Sequence, residues 1–501
     1  MRVVSNAFWL STCRISADLL SFLLFATIAR SFGPAGSGEY SYAFAIGNLI
    51  ALIATSGFEE YGIRQYVSSA PEDRPRLWGR LMAAQAVQLG AGLLLLGGLL
   101  LFDRNIPASR WVVVELSIFM IGWGLARTLF VPAMAAQSMF APAFTDLSCR
   151  LSAIVVATLL LLEGRLPLAV SLAAFPLAGI AMASIAATNA RSHKASLAPH
   201  SGVRGIVSFL KGTAPFAGSD ILNQFYARTD LLLIAYLLGD ASVGLYAADI
   251  KFVEVGLVPL ILVGTAAYPV LTRFAATEPV RFETGARDLT RAVLFLSGWL
   301  AVGICCLVPR LFGSVFGPRF DDAVTLLPWF ALFALAKGGE VVLYRLLYCV
   351  QRQNRYVASL FIGTAVIALL NFALIPTFGV RGAIGAAIVS TIAVDLMCLH
   401  GLRRHLRIRV FLGAAARVTA ALAITAGAYA VAGALGLRPW PQALLATVLF
   451  PIAGWILRLV PDIRHSHLFG HGAGRTPVTQ AAAAENPTVR SSSRNDSLLP
   501  P

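Results

Sequence analysis

Charged residues are scarce in this 501-residue chain: they make up 13% of it, against 57% hydrophobic residues and a mean hydropathy of +0.74. A soluble protein of this length needs far more polar surface, so the composition excludes that class and predicts a polytopic membrane protein. Lysine is the rarest charged residue, with only Lys194, Lys211, Lys251 and Lys337, so arginine supplies nearly all of the net charge of +15. In a membrane protein such a balance reflects the placement of arginine in loops, and no nucleic-acid partner is expected.

The motifs of several enzyme classes are also missing. The chain has no Walker loop for ATP and neither a GxSxG nor an HExxH motif. Its six cysteines show no CxxC or Cys/His ligand spacing, so no metal site is predicted and we interpret them as small buried hydrophobic residues. No internal loop is long enough for the domain of a membrane glycosyltransferase or polymerase. We therefore expect a secondary transporter with no catalytic residues and no cofactor.

Long apolar runs are abundant, and about 20 apolar residues suffice to cross a hydrocarbon core roughly 30 Å thick. By this measure we expect an all-α fold with about fourteen transmembrane helices: 8–29, 41–58, 80–102, 112–135, 144–162, 167–188, 206–237, 243–270, 289–309, 323–348, 355–375, 381–401, 412–434 and 440–458. The loops on one predicted side hold twice as many arginines as the opposite loops. This bias predicts that both termini are cytoplasmic.

A glycine-rich turn occurs twice, with equal spacing in Gly33, Gly38, Tyr40 and in Gly239, Gly244, Tyr246. Each turn follows an apolar run that contains polar residues and precedes another apolar helix, as expected for the two homologous halves of a secondary transporter. The least apolar break separates these halves. We expect an N-lobe over 1–190 with spans 1–6, a cytoplasmic linker over 191–205, a C-lobe over 206–402 with spans 7–12, two appended spans over 403–460, and a disordered cytoplasmic tail over 461–501.

Charged residues inside the apolar runs are the candidates for a functional site. A charge at membrane depth costs about 2.5 to 3.5 kcal/mol, so it usually faces a cavity or a partner. Guanidinium groups form forked bonds to phosphate oxygens and stay charged in a low-dielectric site, which favours an anionic substrate. The predicted substrate-binding cations are Arg14, Arg127, Arg228, Lys251 and Lys337, and the carboxylates that could couple transport to protons or sodium are Asp18, Asp220 and Asp395.

Local ion pairing is the competing interpretation of these charges. Four cation–carboxylate pairs share a helix face: Arg14 with Asp18, Asp146 with Arg150, Lys251 with Glu254, and Lys337 with Glu340. Arg127 and Asp395 have no such neighbour, and Arg228 shares a face only with Gln224 and Asp220. These residues need a partner from another helix or a ligand.

An ordered set of short sequences carries a family resemblance. It comprises residues 29–40 with Gly57 and Arg64, then 210–216, 228–230, 239–246, Ala248, Lys251 and Pro269, then 311–313, Phe320, Ala323 and 378–387. Together these sequences span most of residues 8–402. In this order they resemble the polysaccharide transporter branch of the multidrug, oligosaccharidyl-lipid and polysaccharide (MOP) exporter superfamily, which includes Wzx-type O-antigen flippases.

The resemblance implies two six-helix lobes related by pseudo-two-fold symmetry around a cationic cavity, plus spans 13 and 14. It implies that undecaprenyl-diphosphate-linked oligosaccharides are moved from the cytoplasmic to the periplasmic leaflet of a bacterial inner membrane by alternating access. Such a flippase would serve O-antigen, lipopolysaccharide or exopolysaccharide synthesis. Its partners would be the lipid bilayer, the lipid-linked glycan, and a polysaccharide polymerase or other assembly proteins.

Several alternatives stay open on the sequence alone. A lipid II flippase of peptidoglycan synthesis would share the architecture and the appended helices. A multidrug exporter would leave spans 13 and 14 unexplained, and its cationic drugs would be repelled by an arginine-lined cavity. A membrane-embedded polymerase or ligase would need a long periplasmic loop. A non-catalytic scaffold for polysaccharide assembly would have all its buried charges paired within the protein.

Overall fold

The computed structural model describes residues 2–102, 110–193 and 202–460, without the side chains of 2–12 and Arg14. The described residues form helices and no strand, which confirms the predicted all-α membrane fold. The predicted disordered tail over 461–501 lies outside them. The helices are α1 (Arg2–Thr55), α2 (Phe58–Ser68), α3 (Arg74–Phe102), α4 (Arg110–Leu129), α5 (Val131–Ala135), α6 (Phe140–Leu162), α7 (Leu168–Leu172), α8 (Ala174–Ser192), α9 (Val203–Leu238), α10 (Asp240–Thr277), α11 (Pro279–Val302), α12 (Val308–Phe316), α13 (Asp321–Val324), α14 (Leu327–Cys349), α15 (Gln353–Phe378), α16 (Val380–Leu402), α17 (Ile408–Ala434) and α18 (Pro439–Ile456).

Among the described residues, 11 helices are long and apolar enough to cross a membrane, or 12 when the bent pair Pro318–Val324 and Leu327–Cys349 counts as one span. The predicted number of about fourteen is thus not confirmed. Two predicted spans, 8–29 and 41–58, fall on either side of Gly33, where the backbone of α1 is not helical, so α1 consists of two helical segments that meet at a kink. The predicted span 206–237 lies in α9, which is not among the 11 because its embedded Asp220, Arg228 and Asp230 lower its mean hydropathy.

The two glycine turns found in the sequence have nearly the same backbone conformation. Gly33 has φ 70° and ψ −163°, and Gly239, between α9 and α10, has φ 84° and ψ 176°. Positive φ is accessible to glycine because it has no Cβ, so both turns depend on this residue type. A shared bend at equivalent positions supports the interpretation of the turns as an internal repeat.

The second glycines of the two turns lie against each other where α1 packs on α10. A Cβ added at Gly38 would lie 1.8 Å from the Asp240 carbonyl oxygen, and one added at Gly244 would lie 1.9 Å from the Pro34 carbonyl oxygen. Each turn therefore contacts the backbone of the other, and only glycine permits the approach. The start of α10 and the first helix of the chain therefore meet through a reciprocal contact, although they are far apart in the sequence.

The appended helices α17 and α18 pack on α11 through a separate apolar cluster that includes Leu294, Val418 and Phe450. Arg310 strengthens this attachment by donating a hydrogen bond of 3.1 Å to the hydroxyl of Tyr429 on α17. Elsewhere in the described residues, Cys13, Cys149, Cys349 and Cys398 are buried as predicted. Cys305 is exposed, because it lies in a π-helical turn, Gly303–Leu307, on the outside of the bundle.

A buried amide links three helices of the first half. Gln85 on α3 donates a hydrogen bond of 2.7 Å to the Ala54 carbonyl of α1 and accepts one of 3.0 Å from Thr128 on α4. Replacing a buried hydrogen-bonding group while its partners remain costs about 1 to 3 kcal/mol. The link therefore fixes how α1, α3 and α4 are packed.

We expect Gln85→Leu to lower the thermal unfolding midpoint of the purified protein by about 2 °C, because it leaves the Thr128 hydroxyl without this partner. Gln88→Leu is the matched control, since the Gln88 amide is only partly buried and its bond to the Ser56 carbonyl is longer, at 3.3 Å. Equal shifts of the unfolding midpoint in the two variants would show that the buried hydrogen bonds of Gln85 stabilise the protein no more than the bond of Gln88 does.

Candidate functional site

A cavity with about 160 Å³ of space for water, here called the Arg228 cavity, lies between α9, α10, α14, α15 and α16. Its walls combine apolar and aromatic side chains with a few polar groups, as is typical of binding sites. The polar and charged groups that line it are Tyr226, Arg228, Asp230, Tyr246, Glu254, Lys337 and Thr391.

The first wall of this cavity holds two cations that share one carboxylate. Arg228 on α9 lies 3.2 Å from one oxygen of Glu254 on α10, and Lys251, one turn earlier on α10, lies 2.8 Å from the other oxygen. The predicted Lys251–Glu254 pair is thereby confirmed, and Arg228 has the partner from another helix that the sequence required. Two positive groups thus meet on the carboxylate of Glu254, and the second carboxylate of the cavity, Asp230, lies beside them.

Beside this cluster, Asp230 is buried and fully engaged. It accepts a hydrogen bond from the hydroxyl of Tyr246 on α10 and one of 2.7 Å from the backbone N–H of Leu231. The bond from Tyr246 therefore links α10 to α9 two residues after Arg228.

A third cation, on α14, also lines this cavity. Lys337 on α14 lies 2.6 Å from Glu340, three residues later, which confirms the predicted pair. Its ammonium also lies 4.8 Å from the ring centroid of Tyr226, a favourable cation–π arrangement. Glu340 accepts a further hydrogen bond of 3.2 Å from the hydroxyl of Tyr356 on α15, so this carboxylate is held by two elements.

A second, smaller cavity with about 40 Å³ of space for water, the Arg127 cavity, lies between α1, α2, α4 and α9. Arg127 on α4 forms an ion pair with Glu59 and lies 3.8 Å from Glu60, both on α2. Its guanidinium also stacks 5.1 Å from the ring of Trp123. Asp220 of α9 completes the lining, so this cavity joins the first helices of the chain to its second half.

The structure brings the predicted site residues together only in part. Arg228 and Lys337 line one cavity and Lys251 joins them through Glu254, whereas Arg127 and Asp220 line the other. Asp18 is exposed and lines neither cavity. The side chain of Arg14 lies outside the described residues.

Asp395 on α16 is buried behind the Arg228 cavity, at Gly339 of α14, with Glu340 and Lys337 as its electrostatic neighbours. Its Oδ1 has no hydrogen-bond partner among the described residues. An unpaired buried carboxylate oxygen is costly in a low-dielectric interior, so such positions are often functional.

Sequence reasoning missed several residues of the site. Glu59 and Glu60 were not recognised as partners of Arg127, because they lie on another helix that only tertiary packing brings near. Tyr226, Tyr246 and Tyr356 were also missed, although tyrosine within an apolar run indicates a hydroxyl that needs a buried partner. Their partners lie on different helices, so no spacing rule identifies them.

The comparisons with known proteins decide the family. A family model described as "Polysaccharide biosynthesis protein" matches residues 3–275. The chain belongs to this family. No curated protein matches the chain. The matched region contains both glycine turns and, apart from Lys337 and Asp395, every site residue predicted from the sequence.

Solved structures show the fold of this family member. A lipid II flippase MurJ in an inward closed conformation is 14% identical, with a TM-score of 0.70, over 89% of this chain and 98% of that chain. An inward-facing MATE multidrug transporter of the MOP superfamily is 13% identical, with a TM-score of 0.58, over 81% and 95%. A MOP superfamily transporter from Pyrococcus furiosus is 12% identical, with a TM-score of 0.51, over 83% and 96%. The chain therefore has the fold of MOP transporters.

Proposed function

We propose that this protein is a flippase that moves undecaprenyl-diphosphate-linked oligosaccharides from the cytoplasmic to the periplasmic leaflet of a bacterial inner membrane, with both termini in the cytoplasm. The observation that carries the proposal is the Arg228 cavity, which Arg228 of α9 and Lys337 of α14 both line within an apolar helix bundle. A diphosphate is a dianionic group that two such cations can hold at once.

The charge balance of the cavity supports an anionic substrate. Arg228 and Lys251 share the carboxylate of Glu254, while Asp230 is engaged by the Tyr246 hydroxyl and the Leu231 N–H, so the guanidinium of Arg228 keeps donors for a ligand. Inside a low-dielectric bundle an unmatched cation is costly, and a phosphate that neutralises it is bound more strongly than in water. The sugar would enter the cavity with the diphosphate, while the polyprenyl chain stays in the lipid.

Alternating access requires an end of the protein that can close and open. The reciprocal contact of Gly38 and Gly244 closes one end between α1 and α10. At α12, Arg30 of α1 adds a hydrogen bond of 2.9 Å to the Val315 carbonyl and a second to the Ser314 carbonyl. Transport would proceed as this contact separates and the opposite end closes.

In this proposal the predicted carboxylates, Asp18, Asp220 and Asp395, are the candidates for coupling transport to an ion. Asp395 is the best placed of them, because it is buried beside Lys337 and Glu340 and has an unpaired oxygen. Asp220 lies in the Arg127 cavity and Asp18 is exposed, so their surroundings differ. Either a proton or a sodium ion would satisfy a carboxylate at these positions.

Two alternatives are weakened by the structure. A non-catalytic scaffold for polysaccharide assembly would pair all its buried charges, yet Asp395 has one carboxylate oxygen and the fully buried Asp249 has both oxygens without a hydrogen-bond partner among the described residues. A multidrug exporter shares the fold, but its cationic substrates would meet the positive side chains of Arg228 and Lys337 in the cavity. In this proposal a polysaccharide polymerase or another assembly protein is a partner of the flippase.

A lipid II flippase is the second candidate, favoured by the likeness to the MurJ structure with a TM-score of 0.70. The test is a flipping assay with the purified protein in liposomes that contain either an undecaprenyl-diphosphate-linked oligosaccharide or lipid II. We expect the oligosaccharide lipid to cross at least ten times faster. Faster movement of lipid II would select the second candidate, and movement of neither lipid would contradict both.

A further inference from the structure

Asp249 of α10 is a carboxyl group that the proposed function leaves unassigned. Its side chain is fully buried, and neither of its oxygens has a hydrogen-bond partner among the described residues. In the described part of the chain no ion pair includes it. Asp230 on α9 is also buried, but it accepts hydrogen bonds from Tyr246 and from the backbone of Leu231. Asp249 is therefore set apart by burial without a partner.

The position of Asp249 on α10 places it next to the Arg228 cavity. It lies one turn after Tyr246 and one turn before Val253, so the three side chains share a helix face. Tyr246, Ile250 and Val253 line the cavity, whereas Asp249 does not. The ring of Tyr246 also packs 5.2 Å from the ring of Phe330 on α14. Asp249 therefore lies beside the cavity wall, on the side of α10 that packs on α14.

An ionised carboxylate is unfavourable in these surroundings. The helices packed against α10 are α1, α9, α11, α13 and α14, and no charged or titratable side chain described on them acts on Asp249. On α10 itself, Tyr246 donates to Asp230 and Lys251 donates to Glu254, so both are engaged elsewhere. An isolated ionised carboxylate is so costly to bury that such a group binds a proton and becomes neutral instead.

We propose that Asp249 is a proton-binding site, whose carboxyl carries a proton in this conformation and gives it to water in the Arg228 cavity when α10 turns. The cavity has about 160 Å³ of space for water, which is room for several molecules. Because Tyr246 and Val253 already line it, a rotation of α10 by roughly 50°, half the angle between successive residues, would bring Asp249 to the cavity. In the step the carboxyl O–H bond breaks, its electron pair stays on the carboxylate, and a water molecule takes the proton.

Proton release would couple this site to the substrate. The new carboxylate would enter the cavity that Arg228 and Lys337 line, and it would compete there with the diphosphate for these cations. Proton binding and substrate binding would then favour each other. This consequence rests on the proposed function, whereas proton binding at Asp249 does not.

Infrared difference spectroscopy of the purified full-length protein in lipid tests the proton. A protonated carboxyl has a carbonyl band that a carboxylate lacks, and isotope-labelled aspartate assigns this band to aspartic acid. At neutral pH we expect Asp249→Asn to remove the band of one aspartic acid. Asp322→Asn is the matched control, because Asp322 is exposed at the start of α13, and it should leave the band unchanged.

An unchanged aspartic acid band in Asp249→Asn would mean that the carboxyl is ionised, and it would overturn the proposal. Asp249→Leu is the second variant, to be measured if Asp249→Asn does not fold, and it should remove the same band.

The release step is tested in liposomes with an imposed pH gradient. Reversing the gradient should change the rate at which the wild type moves the lipid-linked oligosaccharide by at least about fivefold, and this response should vanish in Asp249→Asn. An equal response in the variant would overturn release from Asp249. Absence of movement by the wild type under either gradient would contradict the proposed function, and the infrared band would still decide whether Asp249 binds a proton.

Discussion

Arg228→Ala is expected to abolish surface glycan in cells that depend on this protein, while the amount of protein in the membrane stays at the wild-type level. The fold should tolerate the change, because Glu254 retains Lys251 at 2.8 Å. Transport should not, because one of the two cations that line the Arg228 cavity disappears. Loss of one buried charge contact costs about 2 to 5 kcal/mol, which corresponds to a loss of transport rate of roughly 30-fold or more.

Two further variants separate binding from folding in this experiment. Arg127→Ala is also expected to abolish surface glycan, since Arg127 lines the second cavity with Asp220. Arg281→Ala is the control. Arg281 forms an ion pair of similar length, 2.7 Å to Glu278, but its side chain is half-exposed in the first turn of α11. Normal surface glycan in both Arg228→Ala and Arg127→Ala would remove these arginines from the site. Reduced protein level in either variant would assign that arginine to folding.

Gly244→Ala is expected to stop transport by preventing closure of the end at which α1 meets α10. The added Cβ would lie 1.9 Å from the Pro34 carbonyl oxygen and 2.7 Å from the Ser37 hydroxyl. Because the nearest atom belongs to the backbone, no rotamer change can relieve the clash. Forced overpacking of this kind costs about 1 to 3 kcal/mol. That cost shifts the equilibrium between closed and open ends by roughly 5- to 150-fold toward the open form.

The measurement combines surface glycan with thiol labelling at Ser37→Cys in a background without the native cysteines, since Ser37 is fully buried in the closed contact. We expect a water-soluble thiol reagent to label this cysteine much faster when Gly244→Ala is present, because the contact that buries it is then open for a larger share of the time. Gly264→Ala on the same helix is the control, because its Cβ would have ordinary contact, 3.4 Å from the nearest Arg345 carbon. Equal labelling with Gly244→Ala and Gly264→Ala would mean that the glycine contact does not control access.

The charge pairs show how far helix spacing predicts a site. Lys251–Glu254, Lys337–Glu340 and Asp146–Arg150 are local, so the geometry of a single helix determined them and the structure confirms all three. Arg127 and Arg228 were predicted to need partners from other helices, and they have them. The identity of those partners could not be predicted, because Glu59 and Glu254 reach the arginines only through packing.

The amino-acid sequence by itself determined the membrane class, the all-α fold and the paired glycine turns, because hydropathy, helix periodicity and glycine spacing are local properties of a chain. Tertiary structure alone decided that the two turns touch and that the predicted cations divide between two cavities. These features depend on contacts between residues that are distant in the chain. A contact of that kind is selected by the packing of whole helices, and no short stretch of sequence encodes it.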